Sequence, residues 1–153
     1  VPATSAGILL FRRAGEALEV LLVHPGGPYW AKKDLGAWSV PKGLVEEGEE
    51  PLNCALRELE EELGASFSFQ ADELFELGSV RQKAGKVVHC WAVEADFDPA
   101  ILRSNTFAVE WPPRSGTLRE FPEVDRAEWL GLDEARKKII AAQADFLDRL
   151  EAR

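Results

Sequence analysis

The chain has 153 residues, a formal net charge of −9 and only two cysteines. That length suits one compact domain with its own core, read as a single unit over residues 1–153. The acidic balance argues against avid nonspecific binding to DNA or RNA, the cysteines are too few for a disulfide framework, and no apolar run is long enough to span a bilayer.

The opening VPATSAGILLF lacks the basic segment and long apolar core of a secretory signal, so the expectation is a cytoplasmic protein without membrane association. Ser5 to Phe11 and Leu18 to Val23 are apolar runs separated by Arg12-Arg13-Ala14-Gly15-Glu16, which predicts two strands joined by a hairpin. His24-Pro25-Gly26-Gly27-Pro28 breaks the pattern and opens a loop through Tyr29, Trp30, Lys32, Lys33 and Asp34. Ala37 to Val40 predicts a short strand ending at Pro41-Lys42-Gly43.

The next segment carries the chemistry. Gly48-Glu49-Glu50-Pro51 reads as the start of a helix and Gly64 as its stop. Between them Leu52, Ala55, Leu56, Leu59 and Leu63 recur every three or four residues and mark an apolar face. Glu58, Glu61 and Glu62 stand at i, i+3 and i+4 and share a second face, roughly 120° around the helix at about 100° per residue. One side can pack on a core while the other presents three carboxylates. Such clustered hard oxygen donors repel one another unless a cation intervenes, and they suit Mg²⁺ or Mn²⁺. A solvated acidic helix face is the plain alternative.

Downstream, Leu74 to Arg81 and Val87 to Ala95 predict two strands turning at Ala84-Gly85. A long irregular region follows from Phe97, containing Trp111-Pro112-Pro113 and Gly116, with a short strand-like piece at Trp129-Leu130. Asp133 to Ile140 reads as a helix capped by Asp133, and Ala142 to Leu150 either continues it or follows a break. Cys54 and Cys90 read as buried reduced thiols. His24 and His89 show no ligand spacing, and His89 falls in a strand pattern that favours a packed role. Strands flanking one well-defined helix, with more helix at the end, suggest an α/β or α+β sandwich.

The spacing from Gly43 to Ala65, G-x5-E-x7-R-E-U-x-E-E-x-G-U with U apolar, resembles the signature of the Nudix hydrolases. That resemblance implies an α/β/α sandwich with a mixed β-sheet, the signature forming loop-helix-loop. It implies metal-binding roles for Glu58, Glu61, Glu62 and the Gly43 carbonyl, with Mg²⁺ or Mn²⁺ as cofactor. Arg57 would orient the glutamates, Glu49 would brace the loop, and Gly64 would be structural. The implied reaction is attack of water on a phosphoanhydride of a nucleoside-diphosphate-linked substrate. The proton acceptor is open: Glu61 competes with a downstream loop carboxylate, for which Glu110, Glu120 and Glu123 are candidates and Glu110 is favoured.

Trp38-Ser39-Val40-Pro41-Lys42-Gly43 resembles the W-x-x-P-K-G lead-in of members acting on dinucleoside polyphosphates, inositol pyrophosphates or capped RNA ends. There Lys42 would contact phosphate; a solvated lysine is an equal reading. Tyr29 or Trp30 would stack on a base with Lys32 near the phosphates, against the alternative of local packing. The substrate expected is a small nucleotide, a dinucleoside polyphosphate ahead of a nucleoside triphosphate, without a stable nucleic-acid partner. An RNA 5′ pyrophosphohydrolase and a non-catalytic nucleotide-binding module are the alternatives. Nothing in the sequence sets the oligomeric state.

Overall fold

The structure, a computed structural model, describes residues 3–153. Strands β1 (Thr4–Ala14) and β2 (Ala17–Pro25) form the expected hairpin, longer than the apolar runs alone suggest. A short strand β3 (Lys42–Leu44) pairs antiparallel with the start of β1 and leads towards helix α1 (Pro51–Leu63). Strands β4 (Phe75–Arg81) and β5 (Val87–Glu94) follow, β5 running parallel to β1. Then come a separate hairpin of β6 (Thr106–Glu110) and β7 (Leu118–Pro122), and strand β8 (Val124–Gly131). Helices α2 (Leu132–Lys138) and α3 (Ala144–Glu151) complete the order.

The main sheet runs β4-β5-β1-β2-β8, with β3 added beside β1, and mixes parallel with antiparallel pairs. Its central strand explains its own composition. Ala6, Ile8 and Leu10 point to the α1 side, while Leu9 and Phe11 point to the side covered by α2 and α3. A strand covered on both faces is an uninterrupted apolar run rather than an alternating one. The result is the α/β/α sandwich with a mixed sheet. No helix among the described residues is long and apolar enough to cross a membrane.

Two local details place the site. Helix α1 has proline at its first turn and ends at Gly64, which takes a left-handed conformation with φ 70°. Glu49 and Glu50 lie just outside the helix rather than in its opening turn. Cys54, Ala55, Leu59 and Leu63 are its buried stripe, fixing the glutamate face towards β3 and the edge of the sheet.

Three expectations need correcting, and one alternative left open is decided. The region from Phe97 is not irregular throughout: it contains β6, β7 and the whole of β8. Residues 37–40 do not form a strand; Trp38 and Ser39 make only isolated bridges, to Ile139 and Val23. Their backbone is shared between the two layers, so no ladder extends. Asp133 is not the cap of α2, which begins one residue earlier from Gly131 without a side-chain cap. The C-terminal helices are separate segments, broken where Ile139 and Ile140 turn extended and the Ile140 amide donates to the Trp38 carbonyl.

Candidate active site

Arg57 organises the glutamate face. Its Nε and Nη2 donate to the two carboxylate oxygens of Glu49 at 2.9 and 3.0 Å, a bidentate pair. Nη1 donates to Glu58 at 3.0 Å and to Glu61 at 3.3 Å. Glu49 also accepts from the Glu46 amide at 3.0 Å, so the loop ahead of α1 is tied through one guanidinium to the helix face. Gly43 closes against this cluster so tightly that a Cβ there would overlap the Glu58 carboxyl. A glycine is needed because the strand backbone and the carboxylate occupy adjacent space.

The electrostatics are those of crowded charge. Burial, then the neighbouring Glu58, pushes the Glu62 carboxyl up to about 8, against the opposing pull of Lys42. Glu58 is likewise raised, first by burial and then by Glu61, with Arg57 opposing. Glu49 goes the other way: its hydrogen bonds from Arg57 hold it down at about 2. The Lys42 ammonium is lowered by burial, which outweighs the favourable charges of Glu62 and Glu58.

Does this set fit a divalent cation? The donors are all oxygen, and two of the three box carboxylates are difficult to ionise without added positive charge, which is the chemistry of a Mg²⁺ or Mn²⁺ site. Among the described residues, however, no three acidic, histidine or cysteine side chains already converge as a cage. The guanidinium of Arg57 gathers Glu58 and Glu61 in this arrangement. The donors fit; their final placement around an ion would need small rotations of the glutamate side chains.

A pocket of about 200 Å³ adjoins the glutamates. Its polar end is made by Lys42, Glu62 and Glu123, its floor by apolar residues including Val40, Val124 and Ile140, and one wall by Trp30. A larger, more open groove of about 520 Å³ between Arg12, Asp96 and Trp129 is lined by none of the box residues. The smaller pocket is the candidate site because Glu62 of the box and Lys42 just ahead of it both line it, beside Glu123 and an apolar floor.

The structure sorts the residues named from sequence. Glu58 and Glu62 come together with Lys42. Glu61 lies on the outer side with Arg57, in a shallow depression beside Gly64. Trp30 lines the pocket, whereas Tyr29 packs edge-on against Trp111 at 5.5 Å. Lys32 is exposed and lies outside the pocket lining; Lys33 instead stands over the Trp30 ring at 4.9 Å. Glu110 is also outside it. Its carboxylate accepts from the Arg114 amide at 2.8 Å and so closes the hairpin loop, at the end of β6–β7 remote from Pro122. Glu123 is the downstream carboxylate that reaches the site, adding its charge to Glu58 and Glu62. It immediately precedes β8, and the signal that points to it is the buried sequence Val124, Ala127, Leu130 that follows.

The chain is similar to known proteins over most of its length. A family model described as NUDIX domain matches residues 1–150. The asymmetrical bis(5′-nucleosyl)-tetraphosphatase of Rattus norvegicus is 31% identical over 145 residues, covering 86% of this chain and 80% of that protein. An RNA pyrophosphohydrolase of Erythrobacter litoralis is 38% identical over a shorter stretch of 61 residues, 40% of this chain and 33% of its own. Among solved structures, a C. elegans Ap4A hydrolase binary complex superposes with a TM-score of 0.64 at 22% identity, over 97% of this chain and 96% of that one.

Proposed function

The chain belongs to the Nudix family and is a Nudix pyrophosphohydrolase, and we propose that it cleaves a phosphoanhydride of a dinucleoside polyphosphate, with nucleoside triphosphates as the next candidate. The observation that carries this reading is a single pocket in which Lys42, Glu62 and Glu123 meet an apolar floor and an aromatic wall. The lead-in Trp38 to Gly43 and the similarity to bis(5′-nucleosyl)-tetraphosphatases support the long-polyphosphate choice.

Nudix hydrolases use divalent metals, and here Glu58, Glu61 and Glu62, with the Gly43 carbonyl, would hold Mg²⁺ or Mn²⁺. Such an ion, when bound, neutralises charge on the phosphoryl oxygens. Arg57 keeps Glu58 and Glu61 oriented and fastens the loop through Glu49. Lys42 offers a point charge to a phosphate at the mouth of the pocket. Glu123 takes the proton of the attacking water, since it faces Glu58 and Glu62 while Glu61 is engaged by Arg57. Trp30 stacks on one base. A pocket of about 200 Å³ has room for one base and leaves the phosphate chain on the open carboxylate side.

The test is nucleotide or phosphate release, with Mg²⁺ or Mn²⁺, from diadenosine tetraphosphate, ATP, ADP-ribose and 5′-triphosphorylated RNA, using Glu62→Gln as the blank. Fastest turnover of diadenosine tetraphosphate, absent in the blank, is expected. Preference for RNA or ADP-ribose would overturn the substrate assignment. Metal binding without turnover of any of the four would favour a nucleotide-binding module.

A further inference from the structure

His24 is fully buried next to this pocket, yet it is not among the residues lining it. Both its ring nitrogens are engaged. Nδ1 lies 2.8 Å from the Asp125 carboxylate and Nε2 lies 2.6 Å from the Lys33 carbonyl. The ring packs edge-on against the buried Trp38 at 5.1 Å. An apolar side chain would satisfy that packing and need no polar partners. The imidazole instead joins two segments that are distant in sequence and that meet behind the pocket.

The first segment is the loop of residues 26–36. The Lys33 amide donates to the Trp30 carbonyl at 2.9 Å, and the Lys33 ammonium stands over the Trp30 ring. Fixing the Lys33 backbone therefore fixes the turn that aims Trp30 into the pocket. The second segment is the start of β8, where Asp125 follows Glu123 by two residues. The same seam is closed in the backbone: the Gly26 amide donates to the Glu123 carbonyl at 2.9 Å, and Gly26 approaches the Pro122 carbonyl so closely that a Cβ has no room. Tyr29, Trp30, Lys32 and Lys33 are themselves exposed, so little buried surface holds the loop in place.

We propose that His24 is a positioning residue for substrate binding: anchored on Asp125, it holds the Lys33 carbonyl and thereby sets the Trp30 wall of the pocket. This rests on the reading of that pocket as the nucleotide site. A purely structural histidine would lower thermal stability and the active fraction without changing affinity. A positioning histidine changes affinity through Trp30.

Two conservative variants separate these roles. His24→Asn can still donate to Asp125 but is too short for Lys33, while His24→Gln reaches Lys33. With diadenosine tetraphosphate and Mg²⁺, His24→Asn is expected to raise KM about fivefold, the size of one net hydrogen bond, with kcat within about twofold. His24→Gln should restore KM towards wild type. In a double-mutant cycle, Trp30→Ala should abolish the effect of His24→Asn. Hydrogen exchange without substrate should show faster exchange across residues 26–36 in His24→Asn, with β1 and β5 unchanged. Additive KM effects, unchanged KM in His24→Asn, or no rescue by glutamine would overturn the proposal. So would unchanged exchange in the loop. Because exchange is read without ligand, a wild-type enzyme inert on the probe would count against the substrate reading alone.

Discussion

The two walls of the pocket are built differently. The glutamate wall is a helix whose apolar stripe is locked onto the sheet, whose end is set by Gly64, and whose charges are tied by one arginine to three carboxylates. The Trp30 wall belongs to a unit made by the loop of residues 26–36 and the β6–β7 hairpin, joined where Tyr29 packs on Trp111. It exposes Tyr29, Trp30 and most of the hairpin and is fastened by His24, a few backbone bonds and the Tyr29–Trp111 contact. Charge placed to within a fraction of an ångström needs a rigid support, whereas a stacking surface can belong to a segment that opens. In the function proposed above, chemistry sits on the first wall and recognition on the second.

The largest expected effect breaks the rigid wall. Glu62→Gln should cut turnover by roughly a hundredfold or more while the protein stays folded, as read by steady-state rates and circular dichroism. Because burial and Glu58 raise Glu62 to about 8, the folded protein holds a proton that the unfolded chain releases near pH 4.3, and metal-free stability falls as pH rises from there through 8. The glutamine variant should therefore melt higher than wild type at pH 8 in the absence of metal. Glu123→Gln should also cost at least about tenfold in kcat. Turnover near wild type in that variant would return the proton-acceptor role to Glu61.

Next comes the Trp30 wall. Trp30→Ala should raise KM by about tenfold, in line with the loss of one base-stacking partner, and leave kcat within about threefold. A fall in kcat with unchanged KM would erase the division of labour between the walls.

The smallest effect sharpens the rigid side. Arg57 holds Glu49 at about 2, below its unfolded value near 4.3, so this contribution to stability is complete above that value and lost as pH falls towards 2. The melting temperature should drop across that window, and Glu49→Gln should flatten the drop.

The two walls also differ in how readable they were. Helix α1 and its glutamate face follow from residue spacing, because i, i+3 and i+4 positions meet on any helix. Strands β1, β2, β4 and β5 were visible as apolar runs. The hairpin was not, since β6 and β7 are largely exposed and show no buried alternation. Lys32 and Lys33 are adjacent in sequence, and only the loop backbone decides that Lys33 is the one over Trp30. Glu110, Glu120 and Glu123 look alike as surface carboxylates until the hairpin carries Glu110 to its far end and β8 brings Glu123 to the site.

By itself, then, the sequence determined a glutamate-bearing amphipathic helix, its stop at Gly64, the glycine at position 43 and the family to which they point. Each is local, and covalent geometry fixes the distance between residues a few positions apart. Tertiary structure alone decided which downstream carboxylate joins them, which aromatic forms the wall, and that His24 meets Asp125, 101 positions away. Those pairings depend on the order of strands in the sheet, since β2 and β8 lie side by side only after the chain has passed through α1 and strands β3 to β7.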